Sequence, residues 1–159
     1  YRTLIKNFTE TLIKKNIKLC VAESITGGSF TSHIVKENGA SRILDYSIIC
    51  YSNGSKKSIL KIDKAIIKHG VVSKEVAELM VERVINFTDH KNILALSCTG
   101  QAGPKILNKN EKIGTVFFGV KYNGLVSVIK KTFKSKNRKV IINLSVQEMI
   151  NQGLNAIQN

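Results

Sequence analysis

A chain of 159 residues with 43% hydrophobic content is long enough for one globular domain, spanning 1–159, with a sizeable core. No apolar run approaches the roughly 18–20 residues of a membrane span, and Tyr1-Arg2-Thr3 leads into an amphipathic pattern rather than a signal peptide, so a soluble, cytoplasmic protein is expected. The net charge of +14 invites a nucleic-acid partner, but only four cations are Arg (Arg2, Arg42, Arg83, Arg138) and the Lys are scattered, so the field suits a small anionic substrate better.

Leu4, Ile5, Phe8, Leu12 and Ile13 recur at helical spacing, which predicts an amphipathic helix over 3–16. Ile17 to Ala22 is β-branched and nearly continuous in apolar residues, as a buried strand should be. The run stops at Glu23-Ser24-Ile25-Thr26-Gly27-Gly28, where a helix over 26–37 begins, ending near Asn38-Gly39. Strand, tight turn and helix together aim hydroxyls and helix N–H groups at a ligand, and Gly27-Gly28 permit close approach. Taken alone, the stretch reads first as a helix cap and a turn with no ligand.

A second strand is expected from Asp45 to Tyr51, closing on a turn and a short helical segment to about Leu60. Asp63 is placed to cap a short helix that His69-Gly70 stops. Ser73 caps the clearest helix, whose face is Val76, Ala77, Met80, Val84 and Phe87. Ile93 to Cys98 is a third buried strand, ending at Thr99-Gly100-Gln101-Ala102-Gly103-Pro104. Residues 105–112 are polar and read as a mobile loop. Ile113–Tyr122 and Leu125–Phe133 flank Asn123-Gly124, a hairpin signal, and Lys136 to Asn155 closes the chain as a helix whose last turn Gly153 weakens. About five strands interleaved with helices imply an α/β fold, a three-layer α/β/α sandwich with a mixed, mostly parallel sheet.

Cys20, Cys50 and Cys98 are far apart and read as buried small hydrophobes, and His33, His69 and His90 have no metal-ligand spacing, so no metal and no cofactor are expected. In open α/β sheets ligands collect beyond the carboxyl ends of parallel strands. If the three strands ending at Ser24, at Tyr51 and at Thr99 are parallel, one edge carries Ser24, Tyr51, Lys56 and two glycine-bearing turns. A serine needs a base to become a nucleophile, and with no His nearby Lys56 is the alternative, provided burial or nearby cations lower its pKa. Taken singly, Lys56 is a solvated surface charge and Tyr51 a packing residue.

Six ordered blocks, A-E-S-I-T-G-G at 22–28, G-A-S at 39–41, Y-S-N-G-S-K at 51–56, H-G-V-V-S at 69–73, T-G-Q-A-G-P at 99–104 and I-G-T-V at 113–116, resemble the C-terminal domain of the CinA (competence/damage-inducible) family. The resemblance implies a nicotinamide-nucleotide amidase that hydrolyses the carboxamide of nicotinamide mononucleotide to nicotinate mononucleotide and ammonia, serving NAD recycling. It places the nucleophile on Ser24, with Tyr51 and Lys56 completing the catalytic group. Substrate contacts are expected from Thr26, Gly27, Gly28, Thr99, Gly100, Gly103 and Arg138. Tyr51 would relay a proton or steady the leaving group. Members of the family commonly associate, so a homo-oligomer is an open partner expectation beside the nucleotide substrate. Three departures stand out: Ile25 where the family usually has Cys, Gln101 where it usually has Ile, and Lys105-Ile106-Leu107 in place of an acidic, Gly-rich piece. The last two bear on the substrate loop, and the alternative reading is a non-catalytic nucleotide-binding or adaptor domain.

Overall fold

The computed structural model describes residues 2–158. Its five strands form one sheet in the order β2-β1-β3-β4-β5: β1 (Lys18–Glu23), β2 (Leu44–Ile49), β3 (Ile93–Gly100), β4 (Thr115–Tyr122) and β5 (Leu125–Thr132). Strands β2, β1 and β3 are parallel, Cys20 lying opposite Tyr46 and Ala95, while β3–β4 and β4–β5 are antiparallel. Only β4 therefore runs against the others, and the expected α/β sandwich with a mixed, mostly parallel sheet is the observed one. Buried on both faces and between two neighbours, β1 needs the uninterrupted apolar run the sequence carries there.

Alternation along the strands assigns the layers. Leu19, Val21, Leu94, Leu96 and Phe118 face one core, where α1 (Arg2–Lys14), α2 (Ser29–Ile34) and α6 (Arg138–Gln158) pack through Phe8, Leu12, Phe30, Met149 and Ile150. Cys20, Ala22 and Ala95 face the other, against α5 (Lys74–Val84) through Val76, Met80, Val81 and Val84. That second face is built from small residues, so α5 comes close: a Cβ on Gly119 would lie 2.4 Å from Ser97 Oγ and 2.5 Å from the Ala77 carbonyl oxygen. Ser97 Oγ donates to that carbonyl at 2.8 Å and accepts the Gly119 N–H at 3.2 Å, stitching helix to sheet.

Ser73 caps α5 through a bond from the Val76 N–H, as the sequence indicates. Elsewhere the boundaries move. The helix expected over 26–37 is shorter, Ser29–Ile34, because residues 25–28 are used in a turn with Gly27 and Gly28 at positive φ. Asp63 begins α4 (Asp63–His69) but caps nothing: Ile62 is the N-cap and makes no side-chain bond. Gly153 is not in the last turn of α6. It is a contact point, where a Cβ would sit 2.8 Å from Phe8 Cε1, so its absent side chain lets α1 lie against α6.

The expected mobile loop at 105–112 has an internal anchor. The Gln101 side chain, 1% exposed, donates from Nε2 to the carbonyls of Asn108, Glu111 and Lys112, and its Oε1 accepts the Leu107 and Asn108 N–H groups, both at 2.9 Å. Polar composition suggested solvent, but one buried amide supplies what the loop backbone lacks in secondary structure. No helix among the described residues is long and apolar enough to cross a membrane.

Candidate active site

Because β2, β1 and β3 are adjacent and parallel, their carboxyl ends meet at one sheet edge, and a cavity of about 430 Å³ opens there. That is within the roughly 300–1,000 Å³ usual for small-molecule sites. Ser24 and Ile25 enter it from the end of β1, Tyr51 and Lys56 from the segment after β2, and Thr99, Gly100 and Gly103 from the end of β3. Arg138 closes it from the first turn of α6.

Lys56 is delivered by an unusual local backbone. Ser52 caps the short helical turn α3 (Asn53–Ser55), accepting the Ser55 N–H, and the chain then widens into a π-helical turn over Lys56–Leu60 that ends at Lys61 in the left-handed region. Turns of this kind re-aim side chains and recur at functional sites. Here the turn sends Lys56 inward: the side chain is 1% exposed, its Nζ lies 2.8 Å from Ser24 Oγ, and it donates to the Tyr51 carbonyl at 3.0 Å. Neither partner is an anion. Burial pushes the Lys56 pKa below its ordinary 10.5, and the groups that oppose the shift are the thiols of Cys50 and Cys98. Burial keeps those thiols protonated in turn, raising Cys50 to about 11 and Cys98 likewise upward, so no thiolate is present near neutrality to hold the ammonium charged. The result is a hydroxyl and a destabilised ammonium in direct contact, the geometry of a nucleophile beside its base.

Glu23, the residue before Ser24, carries the turn and was not singled out as functional from the sequence. It is fully buried and accepts six hydrogen bonds. Oε1 takes Thr26 Oγ1 at 2.6 Å and the Gly28 and Phe30 N–H groups at 3.1 Å; Oε2 takes the Thr31 N–H and hydroxyl and Ser47 Oγ. The carboxylate thus occupies the start of α2, supplying the negative charge that helix N-termini favour. A glutamate closing an otherwise apolar buried strand was the available signal.

That occupancy bears on where three of the expected substrate contacts lie. Thr26, Gly27 and Gly28 do not line the cavity: Thr26 Oγ1 is turned to Glu23 and to Cys98 Sγ at 3.3 Å, and the Gly27 and Gly28 N–H groups go to the Ser24 carbonyl and Glu23. The Ile25 N–H, at the cavity wall, has no partner among the described residues. Thr99 does line the cavity, with its hydroxyl donating to the Val71 carbonyl at 2.7 Å. At Gly100 a Cβ would meet the Thr115 carbonyl oxygen at 2.8 Å, so only glycine fits where β3 leaves the sheet.

Tyr51 is in the cavity wall and reaches Lys56 through its backbone. It is 55% exposed, and its hydroxyl accepts from Arg138 Nη2 at 3.0 Å, whereas the contact to Lys56 is through its backbone carbonyl. Arg138 also donates from Nη1 to the Gly103 carbonyl at 2.5 Å, which bridges the β2 and β3 ends across the mouth. Besides Lys56 the charged residues of the wall are Lys105 and Arg138, with no Asp or Glu among the described lining residues, so the field at the mouth is positive. Among the described residues no group of His, Cys, Asp and Glu could hold a metal ion.

The fold recurs in solved structures. A CinA superfamily protein from Klebsiella pneumoniae superposes with a TM-score of 0.91 at 19% identity, covering 99% of this chain and 97% of that one. The competence/damage-inducible protein CihA from Agrobacterium tumefaciens does so at 0.86 and 23% identity, covering 98% and 96%. Among curated relatives, a CinA-like protein of Prochlorococcus marinus subsp. pastoris is 39% identical over 153 residues, 91% of this chain, and a CinA-like protein of Fusobacterium nucleatum is 34% identical over 128 residues, 80% of this chain. The chain spans about a third of the length of these relatives, 35% and 30%. The family model of the CinA C-terminal domain matches residues 1–157, and the chain belongs to that family.

Proposed function

We propose that this domain is an amidohydrolase that deamidates nicotinamide mononucleotide to nicotinate mononucleotide and ammonia, with Ser24 as nucleophile and Lys56 as base. The observation that carries the reading is the buried Nζ 2.8 Å from Ser24 Oγ with no carboxylate to neutralise it. In the first step neutral Lys56 takes the Ser24 proton as Oγ bonds to the carboxamide carbon. The Ile25 N–H is the nearest donor in sequence to the nucleophile that is free to meet the developing oxyanion, and removing such a donor costs roughly 2.7–4 kcal/mol in other enzymes. The C–N bond then breaks, the Lys56 proton leaves on ammonia, and water, deprotonated by the same amine, attacks the ester. Its C–O bond to Ser24 breaks, Lys56 returns the proton to Ser24 Oγ, and nicotinate mononucleotide is released.

Tyr51 contributes its carbonyl to hold Lys56 and its hydroxyl to orient Arg138, so the leaving group draws its proton from Lys56. Arg138 is the guanidinium for the substrate phosphate, backed by Lys105. The measurement is ammonia release from nicotinamide mononucleotide by wild-type protein, with Ser24→Ala and Lys56→Ala as inactive controls. Absence of wild-type turnover ends this reading. Lys105 and Leu107 in the cavity wall, where the family usually has an acidic, Gly-rich piece, favour the second reading, a nucleotide-binding domain without turnover. Calorimetric binding of the mononucleotide with no hydrolysis would establish it instead.

A further inference from the structure

We infer that Gln101 is the positioning residue of the substrate cavity: its buried amide sets the cavity wall formed by Gly103, Pro104, Lys105 and Leu107, and through it the affinity for substrate. The inference rests on the amidase reading for its kinetic readout alone.

The observations are geometric. Gln101 follows the end of β3 directly and is pinned in the backbone on both sides, its N–H donating to the Thr115 carbonyl at 3.0 Å and its carbonyl accepting the Gly114 N–H at 2.8 Å. Its side chain therefore starts from a fixed point on the sheet and makes five bonds to segment 107–112. Both halves of the amide are used. The oxygen holds two N–H groups at the near end of the segment, and the nitrogen faces three carbonyls farther along. A carboxylate could satisfy only the first set and an ammonium only the second. Asn108 then ties the segment to the α5 side of the molecule, donating from Nδ2 to the Val72 carbonyl at 2.8 Å.

The wall residues lie between these fixed points. Gly103 to Leu107 leave the sheet at Gln101 and are caught again by the same side chain at Leu107 and Asn108, so the amide closes a small ring of backbone whose outer side is the cavity. Within that ring Gly103 gives its carbonyl to Arg138, the guanidinium assigned to the substrate's anion. Moving the ring would displace both Lys105 and the acceptor that orients Arg138. Among the described residues none of the ring's hydrogen bonds goes to Ser24 or Lys56. The amide thus acts on binding and leaves the nucleophile and base where they are.

The test uses Gln101→Glu and Gln101→Leu in the full chain, with steady-state kinetics on nicotinamide mononucleotide and hydrogen exchange at the backbone amides of 105–112. KM is expected to rise about tenfold or more in Gln101→Leu and by less in Gln101→Glu, with kcat kept within about threefold in both, the pattern of lost binding without lost chemistry. Exchange at the Leu107 and Asn108 amides should accelerate strongly in Gln101→Leu and much less in Gln101→Glu, whose oxygens keep those two acceptors. Unchanged KM in folded Gln101→Leu would overturn the inference, as would a fall in kcat that matched the folded fraction at unchanged KM. Should wild-type protein bind the mononucleotide without turning it over, the amidase reading fails while the calorimetric Kd takes the place of KM. Should it do neither, retained protection of Leu107 and Asn108 in Gln101→Leu overturns the inference and lost protection upholds the anchor.

Discussion

Replacing Lys56 by methionine keeps an unbranched side chain of similar length in a site only 1% exposed while removing the amine. Two effects on stability oppose each other. The variant loses the contacts to Ser24 Oγ and the Tyr51 carbonyl, each worth about 1 kcal/mol. It also removes an amine whose charged form the fold disfavours. Since the folded pKa lies below 10.5, the unfolded chain binds the extra proton between those two values. Wild-type stability therefore rises with pH across that window, by at most about 1.4 kcal/mol per pH unit. Above 10.5 the amine is neutral in both states and the variant should be less stable by about 2 kcal/mol. As pH falls through the window its deficit should shrink, levelling off below the folded pKa. Urea denaturation of both proteins at half-unit steps from about pH 6 to 10.5 reads the difference directly. The same titration should appear as an ascending limb in wild-type kcat/KM, because the neutral amine is the active form. A stability difference independent of pH would mean that the amine titrates in the fold as it does in water, and the argument for Lys56 as a base would fall.

Glu23→Gln should destabilise the fold by about 1–3 kcal/mol for each donor left facing the new NH₂ group, since all six partners of the carboxylate are donors. A loss under about 0.5 kcal/mol in chemical denaturation would refute that role. Gly119→Ala should cost about 1–3 kcal/mol or more through overpacking, because its Cβ meets the Ala77 backbone oxygen at 2.5 Å and α5 must shift, and an unchanged Tm would contradict the close approach. Arg138→Ala should raise KM for the mononucleotide about tenfold to a hundredfold while leaving the unphosphorylated riboside unaffected. Equal effects on both substrates would move the phosphate elsewhere.

Much of this molecule is legible in one dimension because its determinants are local. The apolar run at Ile17–Ala22, the Ser73 cap and the Asn123-Gly124 turn each act within a few residues, and parallel strands ending in polar turns suffice to bring Ser24, Tyr51 and Lys56 to one edge. What had no local signature is which way side chains point once the edge is assembled. Thr26 and the Gly27-Gly28 amides look available in the sequence, yet the carboxylate of Glu23 takes the Thr26 hydroxyl and the Gly28 N–H, because a buried charge must find donors, and the Gly27 N–H closes the turn on the Ser24 carbonyl. Tyr51 offers its carbonyl rather than its hydroxyl to Lys56, since the π-helical turn decides where Nζ arrives.

Residue type and order alone determined that an amine and a hydroxyl would share the end of a parallel sheet. Only the packed structure decided that the amine is dry. Desolvation depends on what every neighbouring element covers, and here Lys56 lies buried beside Cys50 and Cys98 in a core no stretch of sequence specifies. The same holds for Gln101: its five partners lie 6 to 11 residues away along an irregular loop, where no periodicity records which backbone groups will face one side chain.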